Sequence, residues 1–571
     1  MRKNLVYLFL IFVLLSITIA QILTRSVNLF GLFSWLIALS LTISYFWNQK
    51  SIEPLFPLDK RDVGIVLMFS GLIIMIPLFV NSLPDHYHRD EFVLAHASVT
   101  LPAMQHIDWF NGYPTSSIAA YPIPYFLIQK QILSLLSTSL LSVRFSTAWY
   151  NIAIVFYLYI LSKRLISSNF AAIASLIFIF SSSNFYMSTL NMHVASSALC
   201  VIAFLYHFIH RNNAHHAHAI LAGVYLGLSF LFYTASYITL PLSILFIFYQ
   251  YVINKSQIHI YSLKILYTVF AIILLPFIIH NIFVFPYFYD RISTVSTFTS
   301  SQGIYQQGAE NILSPSTALG VQISQSLLAL FLPGIGGTDG YYFGKQALME
   351  PYTFILFMLG FWILVKYCKK KVPFVYILFT ISAVIIGYSL TVQPPAFHRL
   401  AVMFPLLAFT ITLGLFALSK ALSFNRIWIK RLVIGIGFMV FIINNNYHLN
   451  KMILNDLQDY PYSTKLANRI QEVIPKHTEV LIGAYPIFHL GKELFFRTNN
   501  QYIFTTIEKS QLFDKYQGQP FLLINPSKEE IVTIREALPT FTYEYFDNET
   551  GETLGFFYEN SSLPDDAIIT Q

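Results

Sequence analysis

Within residues 1–447 only eleven carboxylates occur, and the tightest cluster of them is Asp85-His86-Tyr87-His88-Arg89-Asp90-Glu91. Adjacent acids such as Asp90 and Glu91 in an acid-poor stretch suit proton transfer. A carboxylate partly screened from water holds its proton more tightly and can serve as a general base. The competing reading is a solvated turn in which Arg89 pairs locally with the acids. His86, His88 and Asp90 alternate with a period of two, so an extended segment would carry all three on one side. That set could ligate a divalent metal. No second ligand pair at a diagnostic spacing accompanies it, which favours an ordinary polar loop.

Other candidates are cationic or aromatic. Arg399 follows Gln393-Pro-Pro-Ala-Phe-His398 at the end of an apolar run. A guanidinium at headgroup depth suits a phosphate through planar, permanently charged donors, or it simply snorkels to lipid. Arg144 and Arg291 carry the same ambiguity, and snorkelling suffices for them. Trp109, Tyr113, Tyr121 and Tyr125 interleave with Pro114, Pro122 and Pro124. Such a kinked aromatic segment could stack on sugar rings, although interfacial belts use the same residues. A second histidine group, His207, His210, His215, His216 and His218, reads as a solvated loop. Cys200 lies within an apolar run and Cys368 beside a lysine run, so neither a disulfide nor a redox role is expected.

These residues are carried by a membrane protein. The 571-residue chain is 55% hydrophobic and 11% charged, well under the roughly 25% charge of a soluble domain. Thirteen apolar runs can span a bilayer, at about 4–23, 28–47, 63–83, 146–162, 168–187, 194–210, 218–233, 237–253, 265–285, 352–367, 373–391, 401–419 and 430–446. With the N-terminus inside, the inner segments hold 18 Lys and Arg, and the outer segments up to residue 447 hold seven. The positive-inside bias therefore predicts an N-in, C-out topology in a cell or inner membrane. Residues 1–447 have 25 bases against 11 acids, and residues 448–571 have 10 against 17. The basic excess thus reports orientation, and no nucleic-acid partner is expected. The first run could instead be a signal peptide cleaved after Thr18-Ile-Ala20, which leaves every later orientation unchanged.

Under this topology Glu53, Asp59 and Asp62 share one short inner loop. The other eight acids, Asp85, Asp90, Glu91, Asp108, Asp290, Glu310, Asp339 and Glu350, fall in two long outer loops at 84–145 and 286–350. The apolar stretch 125–141 in the first of these reads as an interfacial helix. The runs 218–233 and 237–253 are joined by Tyr233-Thr-Ala-Ser-Tyr237, a tight outer re-entry. From residue 448 the character becomes that of a soluble extracytoplasmic α/β domain. Strands are expected at 477–485, 501–505 and 519–525, with a hairpin from 541–546 and 553–558. A helix at 527–538 should be N-capped by Ser527, with Glu530 closing a capping box.

The order of these features resembles a known family. His88-Arg-Asp-Glu91 resembles the acidic motif of the C-type glycosyltransferases, above all their protein O-mannosyltransferase and aminoarabinose-transferase branch with its bacterial relatives. That motif is Asp-Glu, usually followed by Ala, then an apolar stretch, a Tyr-Pro segment and an Arg entering the next span. Here Asp90-Glu91 is followed by Asn111-Gly-Tyr-Pro114, Tyr121-Pro-Ile-Pro124 and Ser142-Val-Arg144, with Phe92 standing where Ala is usual. Leu221-Ala-Gly-Val-Tyr-Leu-Gly-Leu228, with Tyr233 and Pro241, is similar to the group's glycine-rich span pair. His398-Arg399 ahead of Pro405 resembles its late outer-mouth motif.

The resemblance covers most of residues 60–420. It implies an α-helical polytopic fold of about 13 transmembrane helices and an inverting glycosyltransferase with a polyprenyl-phosphate-linked sugar as donor. Asp90 would be the general base for the acceptor hydroxyl and Glu91 would orient it. Arg399 with His398 would bind the donor phosphate, and Tyr113, Tyr121, Tyr125 and Arg144 would contact substrate. No cofactor is required by that chemistry, and a divalent metal at His86, His88 and Asp90 stays open. The partners would be membrane lipid, the lipid-linked donor, and a glycan, lipid or protein acceptor. A transporter or flippase for a lipid-linked glycan, or a non-catalytic assembly subunit, is the alternative. Transporters, however, place ionisable groups near the bilayer midplane and often show inverted repeats, whereas these acids sit in loops and no repeat is visible.

Overall fold

The computed structural model describes residues 2–25, 28–47, 55–81, 89–102, 107–110, 112–114, 120–182, 194–212, 216–253, 259–284, 315–333, 347–368, 371–391, 397–422, 426–456, 462–483, 500–507, 516–524, 526–547 and 553–559, with a few isolated positions between them. The first part is helical. It runs α1 (Arg2–Leu23), α2 (Leu29–Phe46), α3 (Lys60–Asn81), α4 (Arg89–Val99), a short ribbon of β1 (Gly112–Pro114) and β2 (Ala120–Pro122), α5 (Ile123–Leu136), α6 (Leu140–Leu165) and α7 (Ser168–Phe180). Then come α8 (Val194–Ile209), α9 (Ala217–Phe232), α10 (Thr239–Phe248), α11 (Ile260–Phe283), α12 (Pro315–Leu328), α13 (Pro351–Tyr367), α14 (Val372–Ser389), α15 (Phe404–Leu422) and α16 (Ile427–Asp456).

By length and composition, nine helical segments among the described residues can cross a membrane. The shorter apolar helices α7, α8, α9 and α13 fall on four further expected spans, while α5 lies where the interfacial helix was expected. The ends follow local rules. Ser139 and Ser167 cap α6 and α7 by accepting from the amides of Ser142 and Phe170, the usual remedy for unpaired first-turn donors. A single 3-10 turn, Thr234–Ile238, joins α9 to α10, as the short re-entry requires.

Close helix approach depends on missing side chains. A Cβ at Gly360 of α13 would overlap the Thr410 carbonyl of α15, and one at Gly414 of α15 would overlap the Leu356 carbonyl of α13. Two helices touching through paired glycines bring their backbones into van der Waals contact, which substitutes for a hydrophobic drive inside lipid. A Cβ at Gly223 of α9 would likewise overlap the Leu266 carbonyl of α11, and one at Gly227 would overlap the Ile273 side chain.

Three expectations are corrected. Asp62 is not a loop residue. It sits in the first turn of α3, buried, where it accepts from Tyr159 at 2.6 Å and pairs with Lys163. His207, His210 and His218 are buried, not solvated: His207 and His218 lie within α8 and α9, and His210 immediately follows α8; His215 lies outside the described residues. Their partners are internal: His207 Nδ1 meets His218 Nδ1 at 2.9 Å, His207 Nε2 meets the Tyr157 hydroxyl at 3.1 Å, and His210 Nδ1 meets the Tyr206 carbonyl at 2.7 Å. Glu350 is the N-cap of α13, buried against Asn445 of α16, and not a free loop acid.

The C-terminal part holds α17 (Tyr462–Val473), β3 (Glu479–Gly483), β4 (Ile503–Ile507), β5 (Phe521–Ile524), α18 (Lys528–Ala537), β6 (Phe541–Asp547) and β7 (Thr553–Glu559). The sheet order is β4-β3-β5-β7-β6, with β3 parallel to both β4 and β5 and with β7 antiparallel to β5 and β6. Alternation splits the strand residues between two layers. Val480, Ile482, Leu522 and Phe556 pack on Leu466 and Ile470 of α17, while Leu481, Phe521, Leu523 and Phe557 pack with Ile534 of α18. The expected capping box is present, Ser527 and Glu530 each bonding the other's backbone.

Candidate functional site

Helix α4 carries the acidic pair in its first turn, where unpaired amides and the macrodipole favour negative charge. The side chains of Asp90 and Glu91 lie outside the described residues, as do His86 and His88. Most of the rest of α4 is enclosed: Phe92, Val93, Leu94, Ala95, Ala97 and Ser98 are buried, and His96 and Val99 are half-buried. Phe92, the departure from the usual Ala, fills a cluster with Ala95, Leu133 and Val143. Polar bonds fix the same helix. Ser98 Oγ donates to Gln129 Oε1 at 2.5 Å, Gln129 Nε2 donates to Ser146 Oγ at 3.4 Å, and Lys130 Nζ donates to the Leu101 carbonyl at 2.5 Å. Helices α4, α5 and α6 thus form one stitched unit.

Arg399 lies in the 3-10 helix Phe397–Met403 that opens α15. It lines a cavity of about 250 Å³ together with Thr234, Ala235, Tyr237 and Ile238 from the α9–α10 turn and Val384, Gly387, Tyr388 and Thr391 from α14 and its end. Among the described residues the buried Tyr388 hydroxyl has no hydrogen-bond partner, and such a group is costly unless something satisfies it. His398 is buried beside Tyr233, ring centroids 6.4 Å apart. The His398-Arg399 pair and the Tyr233–Tyr237 segment, far apart in sequence, therefore meet. Tyr237, Tyr388, Thr234 and Thr391 were not singled out from the sequence. Their only signal is a polar or aromatic residue at the end of an apolar run.

The remaining candidates are dispersed. Tyr113 and Tyr121 are directly paired across the β1–β2 ribbon. Tyr125 is core, stacked on Tyr150 at 6.4 Å, and Arg144 is buried in the first turns of α6. Asp108, in the first long loop, accepts from or pairs with His280 Nε2 of α11 at 3.1 Å; a lone histidine inside an apolar span is the signal that marks it. Asp85, Asp290, Glu310 and Asp339 lie outside the described residues. Among the described residues no group of three His, Cys, Asp or Glu side chains is placed to hold a metal.

Comparison with solved structures decides the architecture. The chain superposes on ArnT from Cupriavidus metallidurans bound to undecaprenyl phosphate with a TM-score of 0.59, covering 86% of this chain and 98% of ArnT at 12% identity. Its fold is the one seen in ArnT. Apo ArnT from the same organism gives 0.53, with 87% and 98% covered at 11% identity. The apo oligosaccharyltransferase of Archaeoglobus fulgidus gives 0.48, with 88% and 75% covered at 14% identity. No family model matches the sequence, and no curated protein matches it. On this fold, the nine helices among the described residues that are long and apolar enough to cross a membrane make the chain a multi-pass membrane protein.

Proposed function

We propose that this protein is an integral-membrane glycosyltransferase that moves a sugar from a polyprenyl-phosphate donor to an acceptor hydroxyl on the extracytoplasmic side. The observation that carries the reading is the cavity beside Arg399, which joins a guanidinium to a buried, unsatisfied tyrosine hydroxyl. It occurs on a fold shared with ArnT bound to undecaprenyl phosphate. Arg399, with His398 behind it, holds the donor phosphate by charge-assisted bonds. Asp90 removes the acceptor hydroxyl proton as the oxygen attacks the anomeric carbon, and Glu91 orients the acceptor. A new C–O bond forms, the anomeric bond to the phosphate oxygen breaks, and the lipid phosphate departs from the opposite face with inversion. Arg399 stabilises the charge that develops on the leaving group. This sequence of steps requires no metal; His86, His88 and Asp90 are the residues that would hold one.

The test is incubation of the purified protein in vesicles with a panel of polyprenyl-phosphate sugars and hydroxyl acceptors. Release of lipid phosphate matched by glycosylated acceptor is the expected result. Absence of release with every donor, from protein that is folded and correctly inserted, overturns the reading.

A further inference from the structure

The C-terminal domain touches the helix that carries the acidic pair. Leu494 is buried in the core formed by α17 and the sheet, and Thr498 Oγ1 bonds back to the Leu494 carbonyl at 2.8 Å. The Asn500 amide donates to the Phe495 carbonyl at 2.8 Å, with Asn500 itself at φ 59°. That left-handed position is one Asn tolerates and it ends a helical turn. Anchored in this way, the turn presents Phe495 and Arg497 to α4. The Phe495 ring meets His96 edge-on, centroids 5.4 Å apart, and packs on the cluster of Phe92, Ala95, Leu133 and Val143. The Arg497 guanidinium lies 6.0 Å from the Phe92 ring centroid, within cation–π range.

We propose that Phe495 and Arg497 are positioning residues, through which the C-terminal domain clamps α4 and sets the geometry of the Asp90–Glu91 turn. The inference rests on the glycosyltransferase reading. Its structural basis is that the contacts on α4 fall on Phe92, Ala95 and His96, which follow directly on the acids along the same short helix. Helix α4 has only 11 residues, too few to be stable on their own, so its axis is set by what packs on it. The inner side is fixed by Gln129 and the main core, and the outer side by Phe92 and the domain. Loss of the clamp therefore leaves the acids attached but misaimed, and misplacement by about 1 Å can cost on the order of a hundredfold in rate. Donor binding at Arg399, on a different element, is untouched.

Phe495→Asp and Phe495→Leu are compared in the full-length protein. Hydrogen exchange of peptides covering 89–99 reads the clamp without reference to activity. Phe495→Asp should speed exchange there at least tenfold, lower kcat about ten- to a hundredfold and leave the donor KM unchanged. Phe495→Leu should restore both. Unchanged exchange in Phe495→Asp, or faster exchange with wild-type kcat, overturns the proposal. If the wild-type protein transfers no sugar from any donor, the glycosyltransferase reading fails, whereas the exchange arm still decides whether the clamp exists.

Discussion

At the scale of single residues, the proposed chemistry divides between two elements, and substitutions should divide the kinetics in the same way. Asp90→Asn keeps the size of the side chain and removes the proton acceptor. Transfer should fall by about 10²–10⁴ while binding of the lipid-phosphate donor persists, and Glu91→Gln should be milder. Turnover of Asp90→Asn at the wild-type rate in vesicles would dismiss Asp90 as the base. Arg399→Ala should raise the donor KM and lower kcat more than Arg399→Lys does, since lysine keeps the charge but loses the planar fork. Equal, wild-type constants for both variants would reduce Arg399 to a lipid anchor. The residue types were legible in the sequence because acids and arginines are rare in apolar runs. Their surroundings were not. Tyr388 and Thr234 reach Arg399 from two other helices, and their place at the end of an apolar run does not reveal that meeting. The buried histidines were misread for a related reason. Hydropathy counts imidazole as polar, yet His207 satisfies both its nitrogens within the bundle.

At the scale of elements, the position of Arg399 depends on how α15 crosses α13. Gly360→Ala or Gly414→Ala must push the two backbones apart, because the obstructing atoms are carbonyl oxygens and not flexible side-chain ends. Each should lower the thermal midpoint in detergent and weaken donor use together. Gly435→Ala on α16, where an added Cβ meets nothing within 4 Å, should do neither. Losing function with Gly435→Ala but not with the other two would refute this account of the crossing. The N-cap of α13 offers a second measurement. Glu350 accepts from Thr353 and Asn445, yet burial pushes its carboxyl above the ordinary range. A raised folded-state value means that its contribution to stability is full below the unfolded value and is lost as pH rises through the folded one. Glu350→Gln keeps a cap acceptor without the charge, so it should flatten that loss in midpoint against pH, whereas Glu350→Ala should cost about 0.5–2 kcal/mol at any pH. Glu350-Pro351 is a readable helix start; the burial is not, since Asn445 lies on a helix 95 positions away. The strands and capping box of the C-terminal part were readable from period-two alternation and Ser-to-Glu spacing. Helix α17 was missed although Leu466, Ala467, Ile470 and Val473 recur at helical spacing with Lys465, Arg469 and Glu472 on the opposite face.

At the scale of the whole molecule, the proposal needs the acidic pair, the Arg399 cavity and the C-terminal domain on one side of the membrane. The clamp of Phe495 on α4 already requires the domain and α4 to share a compartment. Which compartment is set by charge. With the expected thirteen spans, eighteen Lys and Arg fall on one set of connecting segments against seven on the other up to residue 447, a bias that predicts the orientation. The acidic character of residues 448–571 adds no cytoplasmic pull. The expected count of thirteen spans would put residues 2 and 448 on opposite sides of the membrane. The measurement is a single cysteine at Asn548, between β6 and β7, in a background lacking Cys368, whose thiol is partly accessible, with Cys200 left buried. A membrane-impermeant thiol reagent applied to intact cells should modify it, and a cysteine placed at Lys369 should react only after lysis. The reverse pattern would move the acidic pair to the cytoplasmic face and remove the basis for extracytoplasmic transfer, while leaving the fold and the clamp intact.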